Sequence, residues 1–176
     1  MPLTLVLGGA RSGKSSYAQR EAEAAATEQS TRLVMIVTAQ GLDDEMVDRI
    51  ERHRTARDDR WHVIEAPLDL EGALAGLTSA DVAVIDCLTL WLSNLLGDDR
   101  DIAAATTGLL SSALACRATL LFVSNEVGWG IVPDNALARR FRDEAGRLHQ
   151  RLAEVCDDVV LVVAGVPLSL KPSPRR

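Results

Sequence analysis

Five short runs along the chain are apolar at nearly every position: LTLVLG (residues 3–8), LVMIVT (33–38), VAVIDC (82–87), TLLFVS (119–124) and VVLVVAG (159–165). A strand with one wet face alternates apolar and polar residues, so runs that do not alternate predict strands covered on both faces. Between them, helix-like patterns span 14–27, 42–57, 69–77, 88–96, 102–115 and 134–156, and WHVIE (61–65) is a candidate edge strand. Strands that alternate with helices predict an α/β fold, a mostly parallel sheet with helices on both faces. The last helix has the clearest stripe: Leu137, Phe141, Ala145, Leu148, Leu152 and Val155 recur at spacings of three and four. Arg139, Arg140, Arg142, Arg147 and Arg151 fall mostly elsewhere, as a solvated face, a subunit contact or an anion-facing rim.

The chain has 176 residues, 47% of them hydrophobic, enough for one compact domain over 1–171; KPSPRR closes it, and 172–176 reads as a frayed tail. A net charge of -6 and a pI near 5.1 argue against nucleic-acid or anionic-membrane binding, which need a broad basic surface. Any anion site must therefore be local. Cys87, Cys116 and Cys156 are odd in number and far apart, as free thiols in a reducing compartment would be. The amino terminus has no basic leader, and no window approaches the roughly 20 apolar residues of a membrane helix, so a cytoplasmic protein is expected.

Of the 19 lysines and arginines only Lys14 and Lys171 are lysine. Lys14 lies in GGARSGKS, Gly8, Gly9, Ala10, Arg11, Ser12, Gly13, Lys14 and Ser15, which fits G-x-x-x-x-G-K-S between an apolar strand and a helix. Glycines let successive N–H groups converge on phosphate oxygens, and the helix turns its positive end to the same anion. A compact ammonium reaches between phosphates where a planar guanidinium fits poorly, which accounts for lysine in an arginine-rich chain. Ser15 would place its hydroxyl on magnesium. Asp86, at the end of the third apolar run, is either a second magnesium-holding group or a cap for the helix over 88–96. Ligands of parallel sheets gather at the strands' carboxyl ends, so Asp86 and the 124–130 segment should face the cradle.

If 42–57 is helical, Arg49, His53 and Arg57 share one face. Stacked like charges repel by a few tenths of a kcal/mol per pair, an arrangement that makes sense if a triphosphate comes between them. Flanking guanidinium groups also favour a neutral His53 able to attack phosphorus. The plainer reading is a charged, exposed helix with a chance histidine. His62 and His149 have no comparable setting and read as surface or packing residues.

GGARSGKS, VTAQGLDDEMVDRIERHR, VIDCLTLWLSNLL, VSNEVGWGIVPDN and ALARRFRDEAGRLHQRLAEVCDDVVLVVAG together resemble the bifunctional adenosylcobinamide kinase and adenosylcobinamide-phosphate guanylyltransferase family of cobalamin synthesis, from Leu5 to Lys171. The resemblance implies a P-loop fold of the RecA-like group and a trimer. It implies phosphorylation of adenosylcobinamide by ATP or GTP, then transfer of GMP from GTP to adenosylcobinamide phosphate. It also implies guanylylation at His53 and nucleotide contacts at Gly8 to Ser15, at Thr38, Ala39 and Gln40, at Arg54, Thr55, Ala56 and Arg57, and at Glu65 and Asp86. Two positions depart from the family pattern: Arg57-Asp58 replaces a frequent Arg-Pro, and Arg52 stands where some relatives carry a second histidine. Trp129, between Gly128 and Gly130, is a corrin contact or a core tryptophan. The rival functions are a small-molecule P-loop kinase without a covalent step and a nucleotide-dependent switch.

Overall fold

The computed structural model describes residues 2–40 and 59–171. The helix expected over 42–57, with His53, Arg54, Thr55, Ala56 and Arg57, and the tail 172–176 lie outside the described residues. In chain order the elements are β1 (Leu3–Gly8), α1 (Lys14–Gln29), β2 (Arg32–Val37), β3 (Trp61–Glu65), α2 (Leu70–Ala75), β4 (Asp81–Asp86), α3 (Leu88–Gly97), α4 (Ile102–Ala115), β5 (Thr119–Asn125), α5 (Ala136–Val155), β6 (Asp158–Val163) and β7 (Val166–Lys171). One sheet holds all seven strands in the order β3-β2-β4-β5-β1-β6-β7. The first six are mutually parallel, and only β7 runs antiparallel, against β6. All six parallel strands therefore end on one rim.

The continuous apolar runs have a simple cause, since both faces of the sheet are covered. Leu5, Leu7, Ile36, Ile85 and Phe122 pack into the layer that contains α2 to α5, while Val6, Met35, Val84 and Val123 pack with α1. Each large side chain so buried contributes about 1.5–3 kcal/mol relative to exposure. On α1 the inward positions are Ala18, Ala22 and Ala26, small residues at four-residue spacing that let the helix lie close to the sheet.

Two expectations need correction. Leu137 is 60% exposed, so the stripe on the last helix begins at Phe141. That helix starts at Ala136, two residues later than the pattern suggested, because Asn135 caps it by accepting hydrogen bonds from the Leu137 and Ala138 amides at 2.7 and 3.2 Å. The second correction concerns 159–165, where β6 stops at Val163. Ala164 and Gly165, with φ of 52° and 80°, turn the chain back into β7, which the sequence reading missed. Two central residues at positive φ match the twist of a tight hairpin, and an edge strand tolerates Pro167.

The hairpin also gives the second lysine its place. Lys171 Nζ donates to the carbonyls of Ala153, Glu154 and Cys156 at 2.9, 3.3 and 2.6 Å, satisfying the carboxyl end of α5 with one three-donor cation. The three cysteines are free, and burial pushes the Cys156 thiol up to about 12, so it stays protonated. Among the described residues no helix is long and apolar enough to cross a membrane.

Candidate nucleotide-binding site

The segment from Gly8 to Ser15 links the end of β1 to the first turn of α1. Its backbone closes on itself through Ser12 N–H to Gly9 O at 3.2 Å, and α1 opens with Tyr17 N–H to Gly13 O at 2.9 Å. Gly13 is the N-cap at φ 94°, a left-handed conformation that disfavours any residue with a Cβ. A Cβ there would also lie 3.2 Å from Gly165 Cα in the β6–β7 turn. The same turn donates Gly165 N–H to Ser12 O at 2.8 Å, so the hairpin buttresses the cradle from outside. Lys14 is buried, and its Nζ donates to Gly9 O at 3.2 Å, which holds the ammonium over the loop.

The topology brings the other predicted residues to the same rim. β5 lies between β1 and β4, with Gly8 opposite Asn125 and Asp86 opposite Val123; beyond them Val37 pairs with both Asp86 and Glu65. From the cradle outward the rim therefore reads Gly8, Asn125, Asp86, Thr38 and Glu65. Glu65 is exposed at the far edge strand, four places from β1. Thr38 is fully buried; its hydroxyl donates to Cys87 O at 2.7 Å and accepts from Cys87 N–H at 2.9 Å, joining β2 to β4. Ala39 and Gln40 follow it, half-buried.

Asp86 does not cap α3. The N-cap is Cys87, whose side chain makes no capping hydrogen bond. The carboxylate is thus not used to start a helix; it and the Ser15 hydroxyl are hard oxygen donors of the kind that could hold magnesium. Among the described residues there is no group of three or more His, Cys, Asp or Glu that could hold a metal ion.

Two residues at this rim, Ser124 and Glu126, had no individual role in the sequence reading. Ser124 is fully buried, and its hydroxyl lies 2.7 Å from His149 Nε2, reaching across from α5. Glu126 donates its amide to Gly8 O at 2.9 Å, accepts Gly128 N–H at 2.9 Å, and places its second carboxylate oxygen 3.8 Å from His149 Nδ1. Only the SNE sequence at the end of an apolar run hinted at them; the helical partner is invisible without the fold.

Burial holds the His149 imidazole below its ordinary range, and Glu126 opposes this only in part. The unfolded chain thus binds a proton at His149 at higher pH than the folded one. Its contribution to stability is fully present above the ordinary histidine value of about 6.5 and is lost as pH falls from there toward the folded value. The thermal midpoint of the wild type should therefore drop more steeply between pH 7 and pH 5 than that of His149→Gln; parallel curves would contradict this account.

A family model described as cobinamide kinase / cobinamide phosphate guanyltransferase matches residues 4–170. A bifunctional adenosylcobalamin biosynthesis protein of Pseudomonas aeruginosa, CobP, is 44% identical over 97% of this chain and 98% of its own. The Escherichia coli K12 protein CobU, of the same description, is 39% identical over 96% of this chain and 99% of its own. Among solved structures, one ATPase domain covers 91% of this chain and 68% of its own with a TM-score of 0.51 at 13% identity, a likeness of fold alone. With a P-loop sheet, a lysine-bearing cradle and a family match over almost its whole length, the chain belongs to the cobinamide kinase / cobinamide phosphate guanyltransferase family.

Proposed function

We propose that the chain catalyses two successive reactions at one nucleotide site. In the first, a hydroxyl of adenosylcobinamide attacks the γ-phosphorus of ATP or GTP, giving adenosylcobinamide phosphate and the nucleoside diphosphate. In the second, a ring nitrogen of His53 attacks the α-phosphorus of GTP, the bond to pyrophosphate breaks, and pyrophosphate leaves. A phosphate oxygen of adenosylcobinamide phosphate then attacks the histidine-bound phosphorus and releases the imidazole, giving adenosylcobinamide-GDP. The observation that supports this most is the full-length family match joined to a cradle whose lysine is buried and held over the loop.

In this reading Gly8 to Ser15 hold the phosphates, with the remaining nucleotide contacts at Thr38, Ala39, Gln40, Arg54, Thr55, Ala56, Arg57, Glu65 and Asp86. Lys14 offsets negative charge building on the leaving group, a form of stabilisation that costs no reorganisation because the ammonium is already in place. Ser15 and Asp86 would hold magnesium, which supplies further neutralisation of phosphate charge when bound. The working unit would be a homo-oligomer, a trimer as in the family, with no nucleic-acid partner and a cytoplasmic location.

The test is GTP labelled at the α-phosphate. Wild-type protein should acquire an acid-labile covalent label, and His53→Asn should acquire none while still phosphorylating cobinamide. Labelled His53→Asn would refute the nucleophile. Kinase turnover without label or pyrophosphate release in the wild type would reduce the protein to a simple P-loop kinase.

A further inference from the structure

The loop between β5 and α5 presents Val127, Trp129, Ile131 and Val132 to solvent, with Leu137 following on the first turn of the helix; their exposures are 37, 75, 96, 59 and 60%. So many large apolar side chains in eleven consecutive positions, 127–137, form a patch that a small domain does not ordinarily leave to water. The loop is also fastened at both ends. Glu126 ties its start to Gly8 O and Gly128 N–H, as described above, and Arg139 Nη1 donates to Pro133 O and Asp134 O at 2.8 and 2.6 Å at its finish. A loop so held does not turn its side chains inward by a simple swing.

Its start coincides with the cradle, because the backbone of Glu126 is hydrogen-bonded to the first glycine of the phosphate loop. A ligand resting on the patch therefore lies beside any nucleotide in the cradle. We infer that this loop is the seat of the corrinoid macrocycle, with Trp129 and Ile131 against its flat, conjugated face. The inference rests on the cobinamide reading above and extends it to named residues. The macrocycle is far too large to enter a loop that wraps phosphates, yet one of its side arms must bring an oxygen to the phosphorus. It must consequently be seated just outside the cradle, on a surface that offers apolar contact to a wide ring. Binding energy gained there by the remote part of the substrate serves to position the reacting oxygen, and an indole offers a large rigid contact area to a ring face.

Trp129 also reports on its own occupancy. Of the three tryptophans, Trp61 and Trp91 are buried at 9 and 1% exposure, and only Trp129 is open to solvent. Adding cobinamide should quench the exposed fraction of the tryptophan emission, and Trp129→Phe should lose that quenching. The double variant Trp129→Ser/Ile131→Ser should raise KM for cobinamide by roughly ten- to a hundredfold, with the Kd for GTP, the thermal midpoint and the molecular mass unchanged. An unchanged KM in the double variant would overturn the inference. So would a fall in molecular mass with KM preserved, which would make the patch a subunit contact. A wild type that binds GTP but neither binds nor phosphorylates cobinamide would instead remove the parent reading, and the inference with it.

Discussion

Lys14→Arg is expected to lose both half-reactions, with turnover down roughly 10²- to 10³-fold or more, the scale on which a single pre-placed donor to a developing charge matters. Charge is retained in this variant, so the loss would come from shape. The ammonium of Lys14 is buried and sits 3.2 Å from Gly9 O, a position reached by a straight four-carbon stem that ends in a compact group. A guanidinium is broader, spreads its charge and presents its donors in a fixed plane. Lys14→Met keeps the stem and deletes the charge, and should be equally inactive while melting at the wild-type temperature. Turnover with ATP or GTP, measured beside a thermal melt, checks both. Arginine restoring near-normal turnover would show that only net charge is needed.

The second large effect separates two neighbouring glycines. A Cβ on Gly8 would stand 2.6 Å from the carbonyl oxygen of Val162 and would also collide with Ser12 Oγ. β1 is hydrogen-bonded on one side to β5 and on the other to β6, so it has no room to shift away. Gly8→Ala should cost roughly 1–3 kcal/mol by overpacking, which lowers the thermal midpoint by about 2–4 °C per kcal/mol in a domain of this size, and should also distort the cradle. Gly9 has nothing within 4 Å of the same added atom and has no positive φ. Gly9→Ala should therefore melt like the wild type, yet bind GTP more weakly if phosphate oxygens approach that backbone. Calorimetric GTP titration of the two variants beside their melts distinguishes fold damage from site damage; a destabilised Gly9→Ala or an unaffected Gly8→Ala would contradict the geometry.

The difference between these glycines shows where sequence reading stops. G-x-x-x-x-G-K-S announces a phosphate loop by its letters, because few other functions need that spacing between a strand and a helix. Nothing in the letters says that Gly8 is pressed by Val162, a residue some 150 positions away, or that Gly13 is backed by the turn at Gly165. Lys171 is similar: it was conspicuous as one of two lysines, but its work at the end of α5 depends on a strand that the pattern did not reveal. β7 was missed because VPLSLK is fully exposed, so no burial shaped its composition.

By itself the sequence determined the α/β alternation, the two-sided burial of the strands, the cradle and the family, since these rest on local periodicity and contiguous motifs. Tertiary structure alone decided the strand order that puts Asn125 beside Gly8 and Asp86 on the strand after it, the burial of His149 against Ser124 and Glu126, and the solvent-facing apolar loop at Trp129. The physical reason is that periodicity tells which face of an element is apolar, whereas which elements become neighbours is settled by long-range pairing that leaves no mark within either partner's own stretch of sequence.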